Sequence, residues 1–248
     1  MSCEASDNFV FQRSLLAYYK AAEIIGGRVL EIGTGSGYGV SILSASAEKF
    51  VTVDKFDCGL DFSKYPNAEF RRMNVPPLAD IETGSMDFVV SFQVIEHIER
   101  DRELVAEVYR VLKAGGRFIV STPNSVMSLT RNPWHVREYT PDGLRVLLSE
   151  WFGSVDAYGV FGRGNVMEYY EANRRSVRKF TRFDILDLQH RLPRRLLQIP
   201  YDILNRINRR RLLSRNRELT SDIKMDDYYL DKVSEGCFDL FYVAEKRG

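Results

Sequence analysis

The chain has 248 residues, 44% of them hydrophobic and 28% charged, with a formal net charge of +1. This length buries a full core in one large domain, or in one domain with a small insertion, and the charge balance excludes a surface that is basic throughout, as in proteins that coat nucleic acid. No apolar run approaches the roughly 20 residues of a membrane span, and the polar start Met1-Ser2-Cys3-Glu4-Ala5-Ser6-Asp7 carries no basic leader with an apolar core behind it, so a cytoplasmic protein is expected.

Apolar residues at helical spacing (Leu15, Leu16, Tyr19, Ala22, Ile25) predict a helix from Phe9 to Ile25, stopped by Gly26-Gly27. The short apolar run from Arg28 to Ile32 then ends in glycines, as a buried parallel strand does. Tyr38 to Ser46 reads as a helix, and Phe50 to Asp54, Glu69 to Asn74 and Met86 to Ser91 read as strands. Asp101 to Leu112 puts Leu104, Val105, Val108, Val111 and Leu112 on one helical face; Ala114-Gly115-Gly116 breaks it, and Arg117 to Thr122 is a fifth strand. Thr140-Pro141-Asp142 is a capped helix start. Val155 to Phe161 and Phe238 to Glu245 are the sixth and seventh strands. Strands alternating with such helices predict an α/β fold of βαβ units with a mostly parallel sheet. The cysteines Cys3, Cys58 and Cys237 fit no zinc or redox spacing, and their odd number argues against a disulfide scaffold.

The stretch Glu31-Ile32-Gly33-Thr34-Gly35-Ser36-Gly37-Tyr38-Gly39 follows a strand and opens a helix, the context in which a glycine loop has meaning. A dinucleotide fingerprint needs a glycine at position 38 or 40, where Tyr38 and Val40 stand, so that pattern fails; Gly33, Gly35 and Gly37 fit GxGxG. Dinucleotide sites aim a helix N-terminus at a pyrophosphate. S-adenosylmethionine instead presents a sulfonium and an amino acid, which an acid at the strand end, Glu31, would suit. Roughly twenty residues on, Asp54 ends the second strand, where a carboxylate accepts both ribose hydroxyls.

Val29 to Gly39, Asp54, Met86 to His97 and Val111-Leu112-Lys113-Ala114-Gly115-Gly116-Arg117 together resemble class I S-adenosylmethionine-dependent methyltransferases, and among them the small-molecule branch with a Glu-His pair after the fourth strand. The resemblance covers residues 9 to about 162 and the last strand. It implies a Rossmann-like, seven-stranded, mostly parallel sheet with helices on both faces and the last strand antiparallel, and S-adenosylmethionine as cofactor. By the same resemblance Glu31, Gly33 and Gly35 flank the methionine moiety and Asp54 the ribose, with Gly37 also at the cofactor site. Asn74 stands where the family often has an aspartate near the adenine, and Phe92 and Gln93 line the cofactor's other side.

Methyl transfer to oxygen also needs a base, or a metal that lowers the acceptor's pKa. Of three histidines, His97 leaves the fourth strand in Gln93-Val94-Ile95-Glu96-His97, and His135 lies in Asn132-Pro133-Trp134-His135-Val136-Arg137-Glu138-Tyr139 after the fifth, both at the sheet edge where such folds bind ligands. The arrangement is similar to small-RNA 2′-O-methyltransferases and ubiquinone-pathway O-methyltransferases that hold a divalent metal with Glu-x-x-Glu-His and a later histidine. Glu96, His97 and His135 match that set, while Gln93 replaces the first glutamate and removes a charge. Three uses stay open: a metal site on Glu96, His97 and His135; His97 or His135 as a metal-free base; or a helix-start cap. His190 reads as a surface residue.

Residues 1–162 with 237–248 are expected to form the cofactor domain, and 163–236 a helical basic insert. From Asn165 to Glu218 there are 14 Lys and Arg against 6 Asp and Glu, and Leu196, Ile199, Ile203, Leu204 and Ile207 recur at helical spacing. The insert is a candidate plain helical cap, a lid over the substrate edge, or a contact for an anionic membrane surface, with nucleic acid less favoured because stacking aromatics are few. Tyr169, Tyr170, Tyr201, Tyr228 and Tyr229 are candidates to line a substrate pocket. The leading expectation is O-methylation of a small or lipid-linked metabolite; the alternatives are a metal-dependent RNA 2′-O-methyltransferase and a non-catalytic cofactor-binding scaffold.

Overall fold

The computed structural model describes residues 7–182, 192–215 and 221–248. The elements in chain order are α1 (Asn8–Ala22), β1 (Arg28–Ile32), α2 (Tyr38–Ser44), β2 (Lys49–Asp54), β3 (Ala68–Arg72), β4 (Met86–Phe92), α3 (Asp101–Val111), β5 (Leu112–Pro123), α4 (Pro141–Ser149), β6 (Ser154–Gly162), α5 (Gly164–Thr181), α6 (Arg194–Arg215), β7 (Tyr228–Lys232) and β8 (Asp239–Glu245). They form one sheet in the order β3-β2-β1-β4-β5-β8-β6-β7. The pairs from β3 across to β5 are parallel. β8 lies antiparallel between β5 and β6.

Side-chain alternation along the central strands divides the core between the two faces. Leu30, Ile32, Val51, Val53, Val89, Phe118 and Val120 meet Leu104, Val108, Leu144 and Leu148 of α3 and α4 on one side. Val29, Phe50, Val90, Phe92 and Ile119 meet Leu16 and Ala17 of α1, Val40 and Leu43 of α2, and Val166 and Tyr169 of α5 on the other. Both faces are covered, which is why these strands read as almost continuous apolar runs. Thr140 caps α4 as expected, its hydroxyl accepting the Gly143 N–H at 3.1 Å.

The sheet has eight strands, one more than the seven predicted. The addition, β7, lies in the stretch read as a helical insert and pairs antiparallel with β6 at the sheet's edge. Tyr228 anchors it: the side chain is buried and its hydroxyl donates to the Phe9 carbonyl at 2.7 Å. The fifth strand also starts earlier than expected, at Leu112, which pairs with Met86; Lys113 to Gly116 then bulge out before the ladder resumes with Arg117 opposite Phe88. His190 and Arg191 lie outside the described residues. Among those described, no helix is long and apolar enough to cross a membrane.

Candidate active site

The loops that leave β1, β2, β3, β4 and β5 at their carboxyl ends enclose a cleft of about 880 Å³. Six of the eight residues expected at the cofactor line it: Gly33, Gly35, Asp54, Asn74, Phe92 and Gln93. Gly33 (φ 95°) and Gly35 (φ 54°) have left-handed backbones, and at Gly33 a Cβ would stand 2.3 Å from Val94 Cγ2, so only glycine fits. Asp54 ties the loop to β2: its Oδ2 accepts the Gly35 N–H and its Oδ1 the Phe56 N–H, each at 3.0 Å.

Glu31 and Gly37 stand behind the cleft wall. Gly37 (φ 80°) turns the loop into α2, with Leu60 filling the space a side chain would need. Glu31 is 1% exposed. Its Oε2 accepts from the Thr52 hydroxyl at 2.5 Å, and Thr52 in turn meets Thr34 at 2.6 Å. Its Oε1 is buried beside Gly39 and the Tyr18 ring. Burial pushes this carboxyl up to about 7, against hydrogen bonds from Thr52 and Tyr18.

The Glu-His-His set does come together: ligand atoms of Glu96, His97 and His135 lie within 4.8 Å of one another. The loop carrying His135 is pinned by the Val136 N–H to the Glu96 carbonyl (2.7 Å), by an Arg137–Asp101 ion pair, and by the Tyr139 hydroxyl donating to Asp101 at 2.7 Å. Glu96 is buried and accepts from the Thr122 hydroxyl at 2.9 Å; burial pushes its carboxyl up to about 7. His97 Nδ1 meets the Trp134 carbonyl at 3.0 Å, so it bears the proton and leaves Nε2 with the lone pair; burial lowers its pKa. Both nitrogens of His135 are engaged. Nδ1 lies 2.9 Å from Glu138 Oε1 and Nε2 2.7 Å from Asn132 Nδ2. The Asn132 oxygen accepts the Trp134 N–H at 3.0 Å, which orients the amide to donate into the Nε2 lone pair. Burial opposes ionisation of Glu138, but hydrogen bonds from His135 and Ser128 outweigh it and hold its carboxyl below the ordinary range.

A second cavity, of about 270 Å³, adjoins the first, and Val10, Gln93 and His135 line both. Its other walls come from α1, the loop after β5, α5 and α6. Tyr169, Tyr170 and Tyr201 line it as expected, whereas Tyr228 and Tyr229 belong to β7. Arg13 lines it too, its Nε 2.7 Å from the buried Asp239 carboxylate and its guanidinium over the Phe9 and Phe238 rings. At the junction Gln93 is the one non-glycine residue with positive φ (57°) among those described, a backbone strain that the close fit of strand end and loop sustains.

Residues 30–120 match the profile of a methyltransferase domain. The chain is 35% identical over 173 residues to a protein of Mycolicibacterium smegmatis described as a "Probable S-adenosylmethionine-dependent methyltransferase", across 66% of this chain and 67% of that one. The chain belongs to the S-adenosylmethionine-dependent methyltransferase family. It is also 27% identical over 109 residues to the ubiquinone biosynthesis O-methyltransferase of Nitrosococcus oceani, covering 42% of this chain and 46% of the relative. A SAM-dependent methyltransferase from Thermotoga maritima shares the fold, with a TM-score of 0.57 at 13% identity over 96% of this chain and 93% of that one. The methyltransferase therefore spans about two thirds of its mycobacterial relative and under half of the ubiquinone-pathway one. Its cofactor is S-adenosylmethionine.

Sequence reasoning missed Glu138, Asn132 and Arg13. The first two had a local signal, since both stand three residues from His135 in the loop after β5. Arg13 had none: its partner Asp239 is 226 positions away.

Proposed function

We propose that this methyltransferase methylates a hydroxyl oxygen of a small or lipid-linked metabolite, with the cofactor in the large cleft and the acceptor in the smaller cavity. The observation that carries the reading is the His135–Glu138 pair on the wall common to both. Glu138, held ionised by its hydrogen bonds, fixes the Nδ1–H tautomer of His135. That turns the Nε2 lone pair toward Asn132, which lines the acceptor cavity. An acceptor hydroxyl that takes the place of the Asn132 amide gives its proton to Nε2. The relative from Nitrosococcus oceani is named an O-methyltransferase, which supports oxygen as the receiving atom.

S-adenosylmethionine supplies the activated methyl group and its positive charge. The residues fit it. Each Asp54 oxygen accepts one backbone N–H and keeps a lone pair for a ribose hydroxyl. Gly33 and Gly35 admit the methionine portion, and the Glu31 carboxyl stands buried behind them. Asn74 serves the adenine, and Phe92 and Gln93 bound the opposite wall. A metal-free base is favoured over a metal site on Glu96, His97 and His135 because Glu96 is buried and the neutral Gln93 stands where a second glutamate would add charge.

The test is incubation with methyl-labelled cofactor and cell extract. The expected product is a methyl ether, stable to mild alkali, whose formation His135→Ala suppresses. Label on an amine, or label lost to mild alkali as an ester, overturns the assignment.

A further inference from the structure

Helix α6 is amphipathic in the reverse sense to a capping helix. Its inward face is polar: Tyr201, Asn205 and Asn208 line the second cavity. Asn208 is buried against α5, donating to Asn173 Oδ1 at 2.8 Å and accepting from the Ser176 hydroxyl at 2.6 Å. Its outward face is aliphatic. Leu196 is 63% exposed, Ile199 72%, Ile203 54%, Leu204 50% and Ile207 50%. These positions follow Leu196 by three, seven, eight and eleven residues, which keeps them on one side of a helix. A helix that merely covers a core in water turns its apolar side inward; here the hydrogen-bonding side is inward and the apolar side meets solvent.

The charge of the same helix says what covers that side. Seven arginines stand in α6 (Arg194, Arg195, Arg206, Arg209, Arg210, Arg211, Arg215) against one acid, Asp202. Asp202 accepts the Trp134 indole N–H at 3.0 Å. Arg195 and Arg206 are exposed, and the helical repeat sets them along one margin of the aliphatic stripe. A second copy of the chain would bring two such cationic helices face to face, and a nucleic acid would gain nothing from the aliphatic side chains. An anionic bilayer satisfies both features, taking the aliphatic side chains among its acyl chains and the arginines at its headgroups.

We propose that the outer face of α6 docks on an anionic phospholipid membrane. The inference is independent of the reaction and of the acceptor. Its consequence for the proposed function is that one helix would lie on lipid and wall the acceptor cavity, so a lipid-linked acceptor would enter directly from the membrane.

The test is co-sedimentation of the full chain with vesicles of phosphatidylcholine alone and of phosphatidylcholine mixed with phosphatidylglycerol. Binding to the mixed vesicles alone is expected, weakening as salt is raised. The triple variant Ile199→Ser, Ile203→Ser, Ile207→Ser should lower partition by roughly tenfold or more, while its affinity for S-adenosylmethionine, which reports folding, stays that of the parent. Equal partition of variant and parent, or no binding to anionic vesicles, overturns the proposal. So does a dimer that the triple variant abolishes without any vesicle binding by the parent, which would make the stripe a self-association face.

Discussion

The wall of the large cleft comes from loops that each follow a strand of the parallel sheet, while the smaller cavity is assembled from α1, the loop after β5, α5 and α6. The first is built from short stretches whose meaning is local: a glycine run that turns without clashing, an acid that ends a strand, a polar residue past the next. The second is built from side chains distant in sequence, held by contacts such as Arg13–Asp239 and Asn173–Asn208. A fold can therefore keep one cofactor site while its acceptor site is rebuilt by changing the helices inserted after the sixth strand. His135 belongs to both regions, so it is the place to break the comparison.

Replacing His135 should have the largest effect. His135→Ala removes the group proposed to take the acceptor's proton, and turnover is expected to fall on the order of 10²- to 10⁴-fold, the usual contribution of a positioned general base. Cofactor affinity, read by calorimetry, should stay unchanged. Glu138→Gln should lower turnover less and alter its pH profile, because an amide can still hold the ring but cannot stabilise its charged form. If both variants turn over normally on the true acceptor, the junction is a passive wall.

Asp54→Ala should act on the other region alone. It removes the carboxylate proposed to hold the ribose, at a cost of about 1.5–3 kcal/mol for each such hydrogen bond, and so at least roughly tenfold in dissociation constant. The acceptor's KM at saturating cofactor should not move. A loss shared equally between cofactor and acceptor would mean that the two regions are one.

The same division explains how much was legible beforehand. Gly33, Gly35, Asp54, Asn74, Phe92 and Gln93 were readable because strand periodicity places each loop at the sheet's carboxyl edge, and the sheet's parallel order brings those loops together. Glu31 was correctly placed at a strand end, but the pleat turns its side chain into the buried Thr52 and Thr34 network. The extra strand was hidden because Tyr228 to Lys232 alternates only weakly and earns its place by covering the edge of β6, which no local pattern announces. The aliphatic spacing of α6 was visible from Leu196 onward; which side it turns outward depends on Asn208 and α5, and needed the fold.

The large cleft rests on two buried carboxyls, and both can be read through pH. Glu31 behind the cleft and Glu96 beside the histidines each have a folded pKa raised to about 7 from an ordinary 4.5. The folded state therefore holds more protons than the unfolded one between those values. Stability conferred by the protonated carboxyls is fully present below about pH 4.5, falls as pH rises through the window, and levels off above about 7. In urea melts the free protein should be less stable at about pH 8 than at about pH 5.5, with a slope of up to about 1.4 kcal/mol per pH unit for each group. Glu31→Gln and Glu96→Gln should each flatten part of that slope. A protein whose stability rises over the same range, in the parent and in both variants, would mean that these carboxyls are ionised in the fold.

The smallest expected effect is that of removing metal ions. Glu96, His97 and His135 converge closely enough to hold a divalent cation, so the metal reading predicts loss of turnover on chelation and recovery on adding the ion back. The donor set predicts neither. His135 offers a metal only Nε2, since Nδ1–H is held by Glu138, and Asn132 would have to leave that nitrogen for a metal as it does for an acceptor hydroxyl. Glu96 is buried, with a carboxyl that ionises only near neutrality, and the neutral Gln93 stands where a second glutamate would add charge. Turnover after dialysis against a chelator should therefore stay within about twofold of the untreated enzyme, since a metal-free base loses nothing to chelation. Loss of activity restored by a single divalent ion would require Asn132 to swing away from His135, and Asn132→Ala would then tighten metal binding; a variant unchanged in that respect would leave His135 a base.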